Sequence, residues 1–258
     1  MNDLLSFKDR ASNPTVRVPI CLCLDVSGSM DRIIGGETRA TGRTAVIDGK
    51  TWNIVEGGIT AIQSMRDGVQ SFYDALLEDD VTRYSAEVCV VTFGGNSPKL
   101  IMDFDSLDNQ VDYRREKISS LEAIGGTPMG EAVNMALDCL ERAKKYYKDQ
   151  GIDYFQPWLV LMTDGEPNGA VTELERAIAR TNELANNRKL AIFPIGIGDE
   201  ADMKCLARFS PKRPTLRLKG MNFRDFFEWL SRSVERTSQS MPGSKVKLDD
   251  VSSWGELD

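Results

Sequence analysis

The stretch VRVPICLCLDVSGSM, residues 16–30, decides the fold. Val16 to Leu24 is nearly continuously apolar, the pattern of a strand buried on both faces in a sheet covered by helices. The run stops at Asp25-Val26-Ser27-Gly28-Ser29, where polar and small residues replace it at once. Outward from this strand the same motif recurs. SAEVCVVTF (85–93), PWLVLM (157–162) and LAIFPIGI (190–197) are further short apolar runs rich in β-branched residues, and Pro214 to Leu218 reads as a last one. Helical periods lie between them. Ile54, Ile59, Ile62, Met65, Val69, Phe72, Leu76 and Leu77 predict a helix beginning near Asn53. Met129 to Lys148 is a strong helix with Pro128 near its first turn, and Thr172 with Glu175 fits a capping box opening a helix to Asn186. Segments 108–121 and 199–209 are weaker helices. Asn222 to Arg236 is amphipathic, with Phe223, Phe226, Phe227, Leu230 and Val234 on the core side and Trp229 with them. Strands alternating with helices predict a three-layer α/β domain, a mostly parallel sheet with helices on both faces. The turn Gly94-Gly95-Asn96 before an extended run, Lys99 to Phe104, predicts one antiparallel edge strand.

One such domain, residues 16–236, accounts for most of the 258 residues. Residues 1–15 are expected to be an N-terminal extension and 237–258 a polar tail, ordered only if docked. Between Asp31 and Thr51 lies an insertion with turn signals at Gly35-Gly36 and Asp48-Gly49, expected to form a hairpin or ordered loop.

Composition removes several function classes. The chain carries 32 Lys plus Arg against 39 Asp plus Glu, a net charge of −7, which disfavours partners built of nucleic acid or anionic lipid. It has no histidine, so Ser-His-Asp or Cys-His catalysis, His-ligated metals and His-based pH switching are excluded. Cys21, Cys23, Cys89, Cys139 and Cys205 are odd in number and sit in apolar runs, which reads as buried thiols in a reducing cytoplasm. The polar start, Met1 to Arg10, does not read as a secretory signal.

Three segments carry clustered oxygen donors where a predicted strand ends or a helix begins, the edge at which open parallel sheets bind ligands. They are Asp25-Val26-Ser27-Gly28-Ser29, Thr127 before the strong helix, and Asp164 after PWLVLMT. Asp25, Ser27, Ser29, Thr127 and Asp164 offer hard oxygens without sulfur or imidazole, a set suited to Mg²⁺, Mn²⁺ or Ca²⁺. Two carboxylates leave a dication short of a third anionic ligand, the condition under which a carboxylate from elsewhere enters its shell.

The pattern Asp-x-Ser-x-Ser, then a distant Thr, then a distant Asp resembles the metal-ion-dependent adhesion site (MIDAS) of von Willebrand factor A domains. DVSGSM, GGTPMGEA and LMTDGEPNG match that context, and the resemblance spans roughly residues 16–236. It implies a Rossmann-like A domain that is not an enzyme. Ser27 and Ser29 would ligate directly, Asp25 and Asp164 supply the charge, Thr127 would be the mobile ligand, and the open position would take a partner's Asp or Glu. PWLVLMTDGEP, FPIGIGDEADMKCLARFSP, LKGMNFRDFFEWLSRSV and SQSMPGSKVKL resemble bacterial TerY-like proteins of tellurium-resistance and stress-response loci. That resemblance implies an associated protein kinase or PP2C-type phosphatase as partner. The insertion departs from the family pattern, and with one more cation than acid it is expected to form a locally basic, partner-selecting rim at the metal face.

The residues also bear on two other classes. A haloacid-dehalogenase-like phosphotransfer enzyme also begins with an Asp after a first strand, but its acid/base position is occupied here by Ser27. A Ku-like nucleic-acid-binding use of the fold runs against the net charge.

Overall fold

The computed structural model of the chain describes residues 13–47, 50–241 and 246–257; most of the expected N-terminal extension, the Asp48-Gly49 turn and Pro242-Gly243 lie outside them. In chain order the strands are β1 (Val18–Asp25), β2 (Ile33–Ile47), β3 (Lys50–Thr60), β4 (Ala86–Gly94), β5 (Ser97–Met102), β6 (Trp158–Thr163), β7 (Ala191–Ile197), β8 (Leu216–Leu218) and β9 (Gly255–Leu257). The helices are α1 (Ala61–Glu78), α2 (Asp80–Ser85), α3 (Leu107–Ser119), α4 (Met129–Gln150), α5 (Val171–Asn186), α6 (Met203–Ala207) and α7 (Phe223–Ser238).

Seven strands form the central sheet in the order β5-β4-β1-β6-β7-β8-β9. Every pair from β4 to β8 is parallel, and β5 closes one edge antiparallel to β4, as the sequence predicts. The apolar run in β1 is explained by its place: it lies between β4 and β6, and all eight of its residues are buried. Its side chains alternate between two cores. Ile20, Leu22 and Leu24 join Met65, Phe72, Phe223 and Phe226 from α1 and α7, while Cys21 and Cys23 join Val133, Leu137 and Ala177 from α4 and α5. Helices on both faces therefore bury the sheet, and Phe223, Phe226, Phe227 and Trp229 are core residues.

Two local expectations are corrected, and the condition placed on the tail is met. The helix expected from Asn53 begins at Ala61, and the preceding residues belong to β3. Gly57 and Gly58 stand at φ +82° and +86°, values that end any helix, and Thr60 with Gln63 forms the capping box that starts α1. The apolar spacing of Ile54 and Ile59 with the later residues was coincidental. The capping box expected from Thr172 and Glu175 does not form: α5 has Ala170 at its N-cap, and the Glu131 side chain accepts from the Ala170 N–H at 2.8 Å instead. The tail docks. Gly255–Leu257 pairs antiparallel with β8, and Trp254 is fully buried with its ring 4.9 Å from Phe226 and 5.0 Å from Trp229.

The insertion is a hairpin of β2 and β3 in a sheet of its own, with register shifts between Ile33 and Gly35, Gly35 and Thr38, and Ala40 and Arg43. Arg39 and Arg43 are exposed. β3 runs on to Thr60, past the expected end of the insertion at Thr51, and adds Glu56 to the hairpin; within Asp31–Thr51 the excess of one cation stands.

Candidate metal centre at the carboxyl edge of the sheet

Asp25 ends β1 and Asp164 follows β6, the next strand, so the parallel register brings both acids to one edge. Both are fully buried. Asp25 accepts the Ser27 N–H at 2.7 Å on Oδ1 and the Thr163 hydroxyl at 2.5 Å on Oδ2. The first bond folds the chain back after β1 and starts the short 3₁₀ turn Gly28–Asp31, which presents Ser29 to solvent. Asp164 Oδ1 accepts the Ser29 hydroxyl at 2.7 Å and the Ser27 hydroxyl at 3.5 Å, and the two hydroxyls lie 3.0 Å apart. Four of the five expected residues thus form one hydrogen-bonded cluster.

Thr127 stands beside it on a loop stitched to the same edge. Ile124 N–H donates to the Val26 carbonyl at 2.7 Å, and Gly95 N–H donates to the Ile124 carbonyl at 3.0 Å. The approach is close enough that a Cβ on Gly126, whose φ is +88°, would lie 2.0 Å from the Gly95 carbonyl oxygen, so only glycine fits before Thr127. Thr127 is then held by Asn168, whose side-chain oxygen accepts the Thr127 N–H at 2.6 Å and whose own N–H donates to the Thr127 carbonyl at 3.1 Å. Among the described residues no hydrogen bond joins the Thr127 side chain to the other four.

The electrostatics of the cluster are unfinished. Burial pushes the Asp25 carboxyl up to about 6, against the hydrogen bonds from Thr163 and Ser27 and helped by the charge of Asp164. Burial also raises Asp164, opposed by the Ser29 hydrogen bond and the Arg32 guanidinium. Asp164 Oδ2 is buried without a hydrogen-bond partner, and its nearest cation is Arg32 Nη2 at 3.7 Å. Two desolvated acids, two converging hydroxyls and an orphaned carboxylate oxygen fit a small divalent cation, which would offset the desolvation that now favours protonation.

The sequence reading missed three contributors: Thr163, Asn168 and Arg32. Thr163 and Asn168 lie in LMTDGEPNG, but their role depends on β6 adjoining β1 and on the Asp164 loop meeting the Thr127 loop, neither of which is local. Arg32 lies in the insertion by sequence; it donates to the Ile197 carbonyl at 3.1 Å and so reaches across the edge from the base of the hairpin. Glu166 is exposed, as a solvated loop residue would be.

The described residues hold one further group with metal-ligand spacing, Cys89, Asp103 and Cys139, whose ligand atoms lie within 4.8 Å of one another. All five cysteines are free and buried, and burial pushes the Cys21 thiol beside this group up, so these thiols pack as neutral side chains. No described helix is long and apolar enough to cross a membrane.

The von Willebrand factor type A domain family matches residues 20–228, and the chain belongs to that family. Solved structures of the same fold include a von Willebrand factor type A protein from Catenulispora acidiphila, at 16% identity and a TM-score of 0.55 over 86% of this chain and 43% of that one. The PilB minor pilin from Streptococcus sanguinis aligns at 16% identity and 0.53, over 86% and 62%. Proximal thread matrix protein 1 from the mussel byssus, solved with a zinc-occupied MIDAS motif, aligns at 16% identity and 0.51, over 86% and 49%. This chain spans less than two thirds of the length of each, and at these identities the likeness is one of fold.

Proposed function

We propose that this A domain is a metal-dependent protein-interaction module rather than an enzyme. Asp25, Ser27, Ser29, Thr127 and Asp164 would hold Mg²⁺, Mn²⁺ or Ca²⁺, and the ion would capture an Asp or Glu carboxylate from a protein partner. The observation that carries this reading is the meeting of Asp25, Ser27, Ser29 and Asp164 around an unsatisfied, buried Asp164 oxygen. Ser29 is exposed, so a ligand arriving from solvent reaches the cluster without rearrangement of the core. The mussel protein with zinc in its MIDAS motif supports the assignment by family.

The resemblance to TerY-like proteins supports a bacterial, cytoplasmic stress-response or tellurium-resistance setting, with an associated protein kinase or PP2C-type phosphatase as the carboxylate donor. Five free, buried cysteines agree with a reducing compartment. The phosphotransfer alternative needs a second acid two residues after Asp25; Ser27 stands there and spends its N–H on Asp25 itself.

Calorimetric titration of the full chain with MnCl₂ and MgCl₂ tests the site, with Asp164→Ala as control. Binding in the wild type and its loss in the variant are expected. No divalent-ion binding by the wild type, or equal binding by the variant, overturns the reading. A pull-down with and without EDTA then identifies the partner.

A further inference from the structure

At the amino end of the strands, roughly 20 Å from Asp164 by the length of β6, lies a half-open cleft of about 1270 Å³. Its floor is apolar, with Phe155, Pro157, Trp158 and Leu190, and its walls come from three separate segments that each contribute two cations. Lys144 and Lys148 lie on α4, Arg188 and Lys189 follow α5, and Lys212 and Arg213 precede β8. Glu141 is the one acid among the lining residues.

Ordinary structural duties account for two of these cations. Lys144 pairs with Glu141 at 2.6 Å. Lys212 donates to the Asn186 carbonyl at 3.0 Å and so satisfies the end of α5. The carboxyl ends of α4 and α5 point to this edge, but two helix termini supply only about −0.5 charge each, roughly what Lys212 offsets. Among the described residues Lys148, Arg188, Lys189 and Arg213 have no carboxylate within ion-pair distance. Four exposed cations without a carboxylate partner among the described residues therefore line one cleft in a chain of net charge −7.

Two details sharpen this. Arg188 sits at φ +54° in the turn that leaves α5, a conformation normally given to glycine or asparagine, so the sequence places a cation where the backbone favours neither its Cβ nor its bulk. The Arg213 guanidinium lies 4.8 Å from the Phe193 ring centroid, a stacking contact that leaves its edge donors free for an anion.

We propose that this cleft binds an organic phosphate of nucleotide size, a compact polyanion carrying an apolar or aromatic body. Arginine forks and lysines would take the phosphates, and the apolar floor would take the body. An acidic peptide fits less well, because it spreads its charges over ~3.5 Å per residue whereas the cations line one cleft. The inference is independent of the metal centre at the opposite edge.

The test titrates the full chain calorimetrically at low salt in EDTA, which removes any ion from the carboxyl edge. ADP, inorganic pyrophosphate and an octaglutamate peptide are the probes. ADP is expected to bind, pyrophosphate to bind at least several-fold more weakly for want of the apolar contact, and octaglutamate more weakly than ADP. The triple variant Lys148→Gln, Arg188→Gln, Arg213→Gln changes exposed residues only, so its fold can be verified by circular dichroism. It should lose at least tenfold in ADP affinity, while Asp164→Ala should bind ADP as the wild type does. Absence of ADP binding, undiminished binding by the triple variant, or tighter binding of octaglutamate or pyrophosphate than of ADP overturns the proposal.

Discussion

Two acids are buried in this sheet, one near each end of its central strands, and their surroundings are opposite. Glu87, near the start of β4, is fully engaged. Arg17 Nε donates to its Oε1 at 3.1 Å and the Tyr147 hydroxyl to its Oε2 at 2.8 Å, with all three residues buried. Asp25, at the end of β1, has only neutral donors and a second acid in its cluster, whose nearest cation stands 3.7 Å away. A buried charge is costly unless paired. The amino end meets that cost with an internal cation and so serves the fold. The carboxyl end meets it only in part, through Arg32 at 3.7 Å from Asp164, and the proposed divalent ion would supply the rest. The difference teaches that burial of an acid alone does not separate a structural acid from a candidate ligand; how fully its charge is paired does.

The sharpest way to break this contrast is at Glu87. Glu87→Ala strands Arg17 in the interior and should cost about 3–5 kcal/mol of stability, read by urea denaturation, while folded molecules keep their divalent-ion affinity. A loss under about 1 kcal/mol would mean that Glu87 is no more structural than a surface acid.

The pH dependence comes next. The Asp25 carboxyl is raised to about 6 from an ordinary 3.8, so between those values the folded state holds more protons than the unfolded state. Its contribution therefore favours the folded state at low pH and is lost as pH rises through about 6. At about 1.4 kcal/mol per unit, the wild-type protein in EDTA should lose up to about 3 kcal/mol from this group across that window. Saturating Mn²⁺ should remove most of the loss at pH 7, because the ion supplies the missing charge.

Asp25→Asn should move stability the other way from Glu87→Ala. Removing a buried, uncompensated charge should raise stability in EDTA at pH 7 by about 1–2 kcal/mol, less than the full shift because hydrogen bonding to Thr163 is rearranged. The same variant should flatten the pH dependence and lose divalent-ion binding. If it is destabilised at pH 7 instead, Asp25 belongs with Glu87 as a structural acid.

The smallest effect is expected at the hairpin. Replacing Gly35 to Lys50 by a short Gly-Ser linker should change stability by less than about 1 kcal/mol, since a two-stranded ribbon adds little on its own. Arg32 lies outside the replaced stretch and keeps its contact with the Ile197 carbonyl. A larger loss by thermal denaturation would show that the ribbon packs into the domain.

Much of this was local in the sequence. The continuous apolar strands, the strong helix from Met129, the amphipathic helix carrying Phe223 to Val234 and the five oxygen donors could be read from residue pattern alone, because burial on both faces and the 3.6-residue period are imposed on each segment separately. The start of α1 is not legible locally for the same reason. Ile54 and Ile59 suit a helix or a strand, and only the pairing of β3 with β2 settles which.

What the tertiary structure decided is everything that depends on which segments become neighbours. It set β1 between β4 and β6, so that Thr163 could bond Asp25 and the Asn168 loop could hold Thr127. It brought Trp254 from a polar tail into the core and added β9 to the sheet. It also sorted the charges, placing Arg17 against Glu87, Arg32 near Asp164, and six cations along one cleft in an acidic chain. Composition reports the sum of the charges, whereas Coulomb interactions depend on distance, and distances between residues far apart in the chain are fixed by strand order and register.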